Sequence, residues 1–169
     1  MRSAGSSEIS SPEGGAGSGL RLRPLEYADL PVVVAIERRA FSAPWSLSMF
    51  VLEIAKPGGI YLAALRTGGA ASPLCGYLVC ARYLDVWHLM NVAVDPKLRR
   101  RGVGGALLER MFEVAGDGEQ RFTLEVRASN RGAIEMYQRR GFVAVGVRRR
   151  YYQDNGEDAV VMWRGEPDG

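Results

Sequence analysis

The segment VDPKLRRRGVGGALLER, residues 94–110, constrains the fold more than any other part of the chain. The run before it, VWHLMNVAV, is apolar and β-branched and reads as a strand. After it, Val103, Leu107, Met111 and Val114 recur at helical spacing and predict a helix with one face against a sheet. Between the two stand Arg99, Arg100 and Arg101, then Gly102, Gly104 and Gly105. A helix N-terminus has unpaired backbone N–H groups and the positive end of the helix dipole. Glycines there let a bulky anion approach the backbone, so the pattern predicts a phosphate cradle. Two common nucleotide loops are excluded. A Walker A loop needs a Gly-Lys-Ser/Thr ending, and the dinucleotide fingerprint needs glycine where Leu107 stands. On spacing alone, a glycine turn flanked by solvated arginines fits equally well.

The rest of the chain reads as a mixed α/β sheet with helices packed on it, in the order β-α-α-β-β-β-α-β-α-β-β. Residues 1–19 are rich in Gly and Ser and read as a disordered tail, 20–164 as one domain and 165–169 as a short C-terminal tail. LRLRPL (20–25) reads as a strand, and a helix starts at Asp29 as N-cap with Pro31 behind it. Ser46 caps a second helix over 46–56. Strands follow over about 60–66, 74–83 and 86–94, then the quoted helix to about 115 and a strand over 121–128. Asn130 caps a short helix that Gly141 stops, and two strands, about 142–150 and 157–164, complete the order.

Composition narrows the function classes. Net charge is +3, with Lys56 and Lys97 the only lysines, so the basic side is almost all arginine, suited to planar contacts with phosphate or carboxylate. Two cysteines, Cys75 and Cys80, and one histidine, His88, are too few for a disulfide framework or a Cys/His metal cluster, so no metal is expected. No apolar run approaches the ~20 residues of a membrane span, and the N-terminus lacks a compact apolar leader. The expectation is a reduced, cytoplasmic protein with no membrane partner and no requirement for nucleic acid.

VDPKLRRRGVGGALL resembles the acetyl-CoA-binding motif of the GNAT acetyltransferases, Gln/Arg-x-x-Gly-x-Gly/Ala, with Arg99, Gly102 and Gly104 at its defining places. LEVRASNRGAIEMYQRRGF (124–142), RRRYYQDNGEDAVVM (148–162) and APWS (43–46) extend the resemblance over about residues 20–163. These flanks resemble the branch of the family that acetylates the N-terminal alanine of small-subunit ribosomal protein number eighteen. The resemblance implies a GNAT fold and acetyl-CoA as co-substrate. It places Arg99, Arg100, Arg101, Gly102, Val103, Gly104 and Gly105 on the CoA phosphates, with Gly105 loosening the turn. It adds Val92, Ala93 and Val94 on the pantetheine arm through their backbone, and Asn130 as a further CoA contact. It makes Glu125 the general base and Tyr137 the acid that protonates the leaving thiolate. Trp45, Tyr151 and Tyr152 become contacts to a protein N-terminus, expected to be that of a ribosomal protein.

The bland readings are a solvated strand carboxylate for Glu125, a core tyrosine for Tyr137 and strand aromatics for Tyr151 and Tyr152. His88 reads as a strand-surface or satisfied core residue rather than a base, and the cysteines as buried, inert thiols. No nucleophile set is evident, so direct attack of the amine in a ternary complex is expected. An α-amine titrates near ~8 and is roughly a quarter neutral at pH 7.5, against about a thousandth of a lysine near ~10.4. A modest carboxylate base therefore suffices for an α-amine. A GNAT enzyme acting on lysine or a small amine, and a CoA- or RNA-binding module without catalysis, remain alternatives.

Overall fold

The computed structural model describes residues 19–68 and 74–167. The tail assigned to 1–19 lies outside the described residues except for Gly19, whose carbonyl accepts from Thr67 N–H at 2.7 Å; residues 168 and 169 of the C-terminal tail also lie outside. The elements are β1 (Leu20–Pro24), α1 (Leu30–Ala40), α2 (Leu47–Ile54), β2 (Ile60–Arg66), β3 (Leu74–Tyr83), β4 (Val86–Val94), α3 (Val103–Ala115), β5 (Arg121–Arg127), α4 (Arg131–Gln138), β6 (Val143–Tyr152) and β7 (Glu157–Arg164). This is the order read from the sequence. The sheet runs β1-β2-β3-β4-β5-β7-β6, so β7 inserts between β5 and β6. The glycine-turn segment is its one parallel connection: β4 and β5 pair parallel, joined through α3, and every other neighbouring pair is antiparallel. Among the described residues no helix is long and apolar enough to cross a membrane.

The central strands are covered on both faces because their residues alternate, whereas β6 is exposed along nearly its whole length. Leu62, Leu78, Leu89, Phe122, Leu124 and Met162 point to one side and pack with Val103, Leu107, Leu108 and Met111 of α3 and Tyr137 of α4. Ala63, Tyr77, Val79 and Ala93 point to the other and pack with Leu30, Val33 and Ile36 of α1 and Phe50 of α2. Val114, expected on the sheet side, is 53% exposed. The last turn of α3 is anchored instead by Phe112, whose ring lies 5.0 Å from Phe122 and 6.2 Å from Phe142.

Capping follows the sequence at two helices and departs from it at one. Ser46 accepts from Met49 N–H and Asn130 from Ala133 N–H. Asp29 does not cap α1 with its side chain. Its carboxylate is taken by both terminal nitrogens of Arg23, each at 2.7 Å, and by Glu26 N–H at 2.8 Å. A short 3-10 turn, Tyr27–Asp29, precedes α1, so the chain is already curled where a cap would otherwise stand.

Two irregularities position the site. β4 pairs with β5 only from Val86↔Arg121 to His88↔Thr123, after which the two strands part. At the same point β4 bulges: Cys80 faces Leu89 but Val79 faces Asn91, leaving Met90 as the extra residue. Trp87 and Leu89 join the α3 side, whereas Asn91 and Ala93 turn to the α1 side.

Candidate active site

Where β4 and β5 part, on the α1–α2 side of the sheet, a pocket of about 250 Å³ is lined by Trp45, His88, Leu89, Met90, Glu125, Tyr151 and Tyr152. Its polar centre is Glu125. Phe122, Leu124 and Val126 are buried against α3, so Thr123, Glu125 and Arg127 must face the other way. Glu125 Oε2 lies 2.7 Å from His88 Nε2, and Oε1 lies 3.5 Å from Arg148 Nε. The bond from His88 holds the Glu125 carboxyl below the ordinary glutamate range, against a smaller opposing effect of burial, with the His88 and Arg148 charges adding to the lowering. Glu125 is therefore a carboxylate that only accepts, and His88 Nε2 carries the hydrogen between them. His88 is a strand residue 29% exposed, and in the pocket it forms a pair with Glu125. The alternation of VWHLM carried the signal: with Trp87 and Leu89 inward, His88 shares the face of Glu125.

The aromatic wall comes from two loops. β6 carries two extra residues between Arg148↔Ala159 and Tyr152↔Glu157, with Arg150 left-handed (φ 51°). Consecutive residues of a regular strand face opposite ways, and this bulge lets Tyr151 and Tyr152 both line the pocket. Arg127 lies over the Tyr152 ring at 4.0 Å. Burial, outweighing the Arg127 charge, pushes the Tyr152 phenol up to about 12. Trp45 sits in the α1–α2 connection with its ring 5.2 Å from Phe50. Its N–H donates at 2.9 Å to Glu37, a carboxylate only 1% exposed that also accepts from Tyr77 Oη–H and, at 3.1 Å, from Asn91 Nδ2–H. The same connection is tied across the pocket by Ser42 Oγ–H to Asp154 at 2.7 Å, and Asp154 accepts two bonds from Arg127.

The glycine turn lies at the far end of β4. Ala106 N–H makes the first helical bond, to Gly102 C=O at 3.0 Å, so the N–H groups of Val103, Gly104 and Gly105 precede the helical ladder. Arg100 (φ 64°) and Gly102 (φ 79°) are both left-handed, the alternation with which a backbone curls N–H groups into an anion nest. Arg99, Arg100 and Arg101 are exposed around it. Gly104 closes on Met136 and Val94, with 3.0 Å between a Cβ built there and Met136 Sδ. Gly105 is buried in the first turn of α3, and the Arg140 guanidinium lies where a Cβ would stand. The residues present fit a bulky phosphate approaching backbone, with arginine charge at the rim.

Val92, Ala93 and Val94 line the gap on the β4 side, beyond the last β4–β5 pair, so their strand edge toward β5 is open. Tyr137, on α4, is 6% exposed and lies on the α3 side of the sheet, outside the set of residues that line the pocket. Burial pushes its phenol far up, so it stays protonated. Asn130 caps α4 through its side chain, at 3.2 Å. Cys75 and Cys80 are buried, and burial raises both thiols.

Comparisons with known proteins agree with this geometry. The model of the acetyltransferase (GNAT) family matches residues 30–142. The chain is 39% identical over 141 residues to the [ribosomal protein bS18]-alanine N-acetyltransferase of Escherichia coli K12, covering 82% of this chain and 92% of that one. It is 35% identical to the N-alpha-acetyltransferase RimI of Mycobacterium tuberculosis, covering 85% and 91%. The crystal structure of the ribosomal-protein-S18-alanine N-acetyltransferase from Escherichia coli superposes with a TM-score of 0.77 at 33% identity, over 89% of this chain and 96% of that one.

Proposed function

The chain belongs to the GNAT acetyltransferase family, and from that premise we propose that it transfers the acetyl group of acetyl-CoA to the N-terminal α-amine of a protein, the N-terminal alanine of ribosomal protein bS18. Acetyl-CoA, when bound, supplies a thioester whose carbonyl carbon an amine can attack. The turn from Arg99 to Gly105 and the open edge at Val92, Ala93 and Val94 would hold it, and Asn130 stands at the start of the helix beside them. Trp45, Tyr151 and Tyr152 enclose the α-amine, and their aromatic faces suit a short uncharged first side chain. Glu125 drives removal of the ammonium proton, because an ammonium has no lone pair with which to attack. Tyr137 Oη keeps its proton at working pH and is available to a departing thiolate. Among the described residues no serine, threonine or cysteine lines the pocket, which supports direct attack without an acetyl-enzyme.

The observation that carries this reading is the ionised Glu125 at the centre of a half-open aromatic pocket, at the point where β4 and β5 part. Two peptides test it by mass spectrometry after incubation with acetyl-CoA: one with a free N-terminal alanine and no lysine, one N-terminally blocked with a single lysine. Acetylation of the first alone is expected. Acetylation of the second alone overturns the α-amine assignment in favour of a lysine substrate. Reaction of neither overturns it in favour of a small-molecule amine or a binding role.

A further inference from the structure

We infer that the base at this site is a pair, in which His88 Nδ1 receives the proton of the substrate ammonium and Glu125 holds the imidazolium so formed. This rests on the reading of the chain as an α-amine acetyltransferase. Three observations carry it. His88 and Glu125 line the same pocket, 2.7 Å apart. Glu125 has no hydrogen to offer, so Nε2 must donate to it, and the neutral imidazole then presents its lone pair at Nδ1. Among the described residues no hydrogen-bond partner occupies Nδ1. An imidazole fixed by a carboxylate on one nitrogen and open on the other is the arrangement with which serine hydrolases move a proton.

Charge favours this division of labour. A carboxylate at or below the usual glutamate value is a poor final acceptor for a proton from an α-amine near ~8: the transfer is unfavourable by more than about three orders of magnitude. Placed on Nδ1, the proton's positive charge stays beside the Glu125 carboxylate, 2.7 Å from the other ring nitrogen. In the transfer, one N–H bond of the ammonium breaks, its electron pair stays on the amine nitrogen, and the proton bonds to Nδ1. The imidazolium later releases it to solvent. Groups that face His88 from neighbouring elements are Glu125 on β5, Arg148, Tyr151 and Tyr152 on β6, and Tyr83 at the end of β3, its ring 6.4 Å away. Arg148 opposes the imidazolium, but it is 59% exposed and screened, whereas Glu125 is 13% exposed and in direct contact.

The test is His88→Gln, which keeps a donor for Glu125 but cannot accept the proton. With the free-alanine peptide, kcat/KM at pH 7.5 is expected to fall about a hundredfold, with the acid limb of its pH profile lost and acetyl-CoA Kd unchanged. A rate within threefold and an unchanged limb overturn the inference and leave Glu125 as sole base. His88 is the only histidine in the chain, so nitrogen NMR of the untagged wild-type protein reads its tautomer without relying on the variant. The expected result is Nε2–H, with an imidazole titration midpoint matching the acid limb. An Nδ1–H tautomer overturns the inference. Failure of the wild-type protein to acetylate the peptide is a different result: it removes the α-amine reading itself.

Discussion

Glu37 makes the most quantitative prediction. It is buried, forms no ion pair among the described residues, and is held by three neutral donors from three parts of the chain: Trp45 N–H, Tyr77 Oη–H and Asn91 Nδ2–H. It ties the α1–α2 connection, which carries the pocket wall, to the floor formed by β3 and the bulge of β4. Glu37→Ala leaves these donors without an acceptor, at about 1–3 kcal/mol for each that stays unpaired. The Tyr77 hydroxyl can turn toward the Asn91 amide oxygen, so two orphans are the realistic count. The missing side chain also leaves a cavity, and the lost carboxylate removes its own desolvation cost. The net destabilisation is about 4 kcal/mol, a large part of the ~5–15 kcal/mol that holds a domain.

Urea unfolding followed by tryptophan fluorescence measures it. The midpoint should fall with m unchanged, and Tm should drop by about 12 °C for a chain of this size. Glu37→Gln is the companion. Its oxygen can serve Trp45 while its amide donates to Tyr77 and to a flipped Asn91, so its cost should stay within about 2 kcal/mol. Because Trp45 then hangs on a weaker bond, the peptide KM should rise several-fold while acetyl-CoA Kd holds. A loss below about 1 kcal/mol in Glu37→Ala refutes the account, since three buried donors would then have found other partners at no cost.

Three further outcomes are expected. Tyr137→Phe should lower kcat roughly ten- to a hundredfold while unfolding and acetyl-CoA affinity stay at wild-type values; equal kcat makes Tyr137 packing only. Gly102→Ala should cost about 1–2 kcal/mol and weaken acetyl-CoA, because its φ of 79° strains any side chain although nothing lies within 4 Å of the new Cβ; titration calorimetry and urea unfolding read the two effects. Glu125, lowered by His88, and Asp29, lowered by Arg23, both have folded pKa values below their unfolded ones. Their stabilisation is therefore full above the unfolded carboxylate range and lost as pH falls through the folded values. The urea midpoint should drop between about pH 5 and pH 3, and Arg23→Met should flatten that drop; an unchanged slope sinks the assignment.

Much of this was legible in the sequence because local rules and burial agreed. Strict alternation in RFTLEVR predicted which side chains β5 buries, and Ser46 and Asn130 cap as their places before apolar runs suggest. What could not be read depends on non-local pairing. The insertion of β7 between β5 and β6 leaves no trace in local periodicity, and it brings the β6–β7 turn over Ser42. Asp29 stands at the N-cap position that the sequence indicates, but its carboxylate bonds an arginine six residues back instead of the helix it precedes. Nothing in the segment around Gly105 reveals that Arg140, far along the chain, lies where its side chain would stand. His88 was passed over for a related reason: a lone histidine on a strand gains meaning only from the strand beside it.

The pocket depends on departures from a regular sheet. If β4 kept its pairing past His88, its backbone would bond to β5 and no gap would open beside Glu125. Were Met90 not an extra residue, Asn91 would follow Trp87 and Leu89 toward α3, and Glu37 would lose one of the bonds that seat the Trp45 wall. Without the two extra residues of β6, Tyr151 and Tyr152 would face opposite ways and only one could reach the pocket. These two bulges, at Met90 and before Tyr152, give up ladder bonds, and both lie at the rim of the same cavity. The core tolerates this because β5 pairs with β7 without a break on one side of the gap and β3 keeps pairing with β4 beyond the bulge on the other. The acid–base pair thus sits between two fixed ladders, in a sheet that opens only where an amine and a thioester would have to meet.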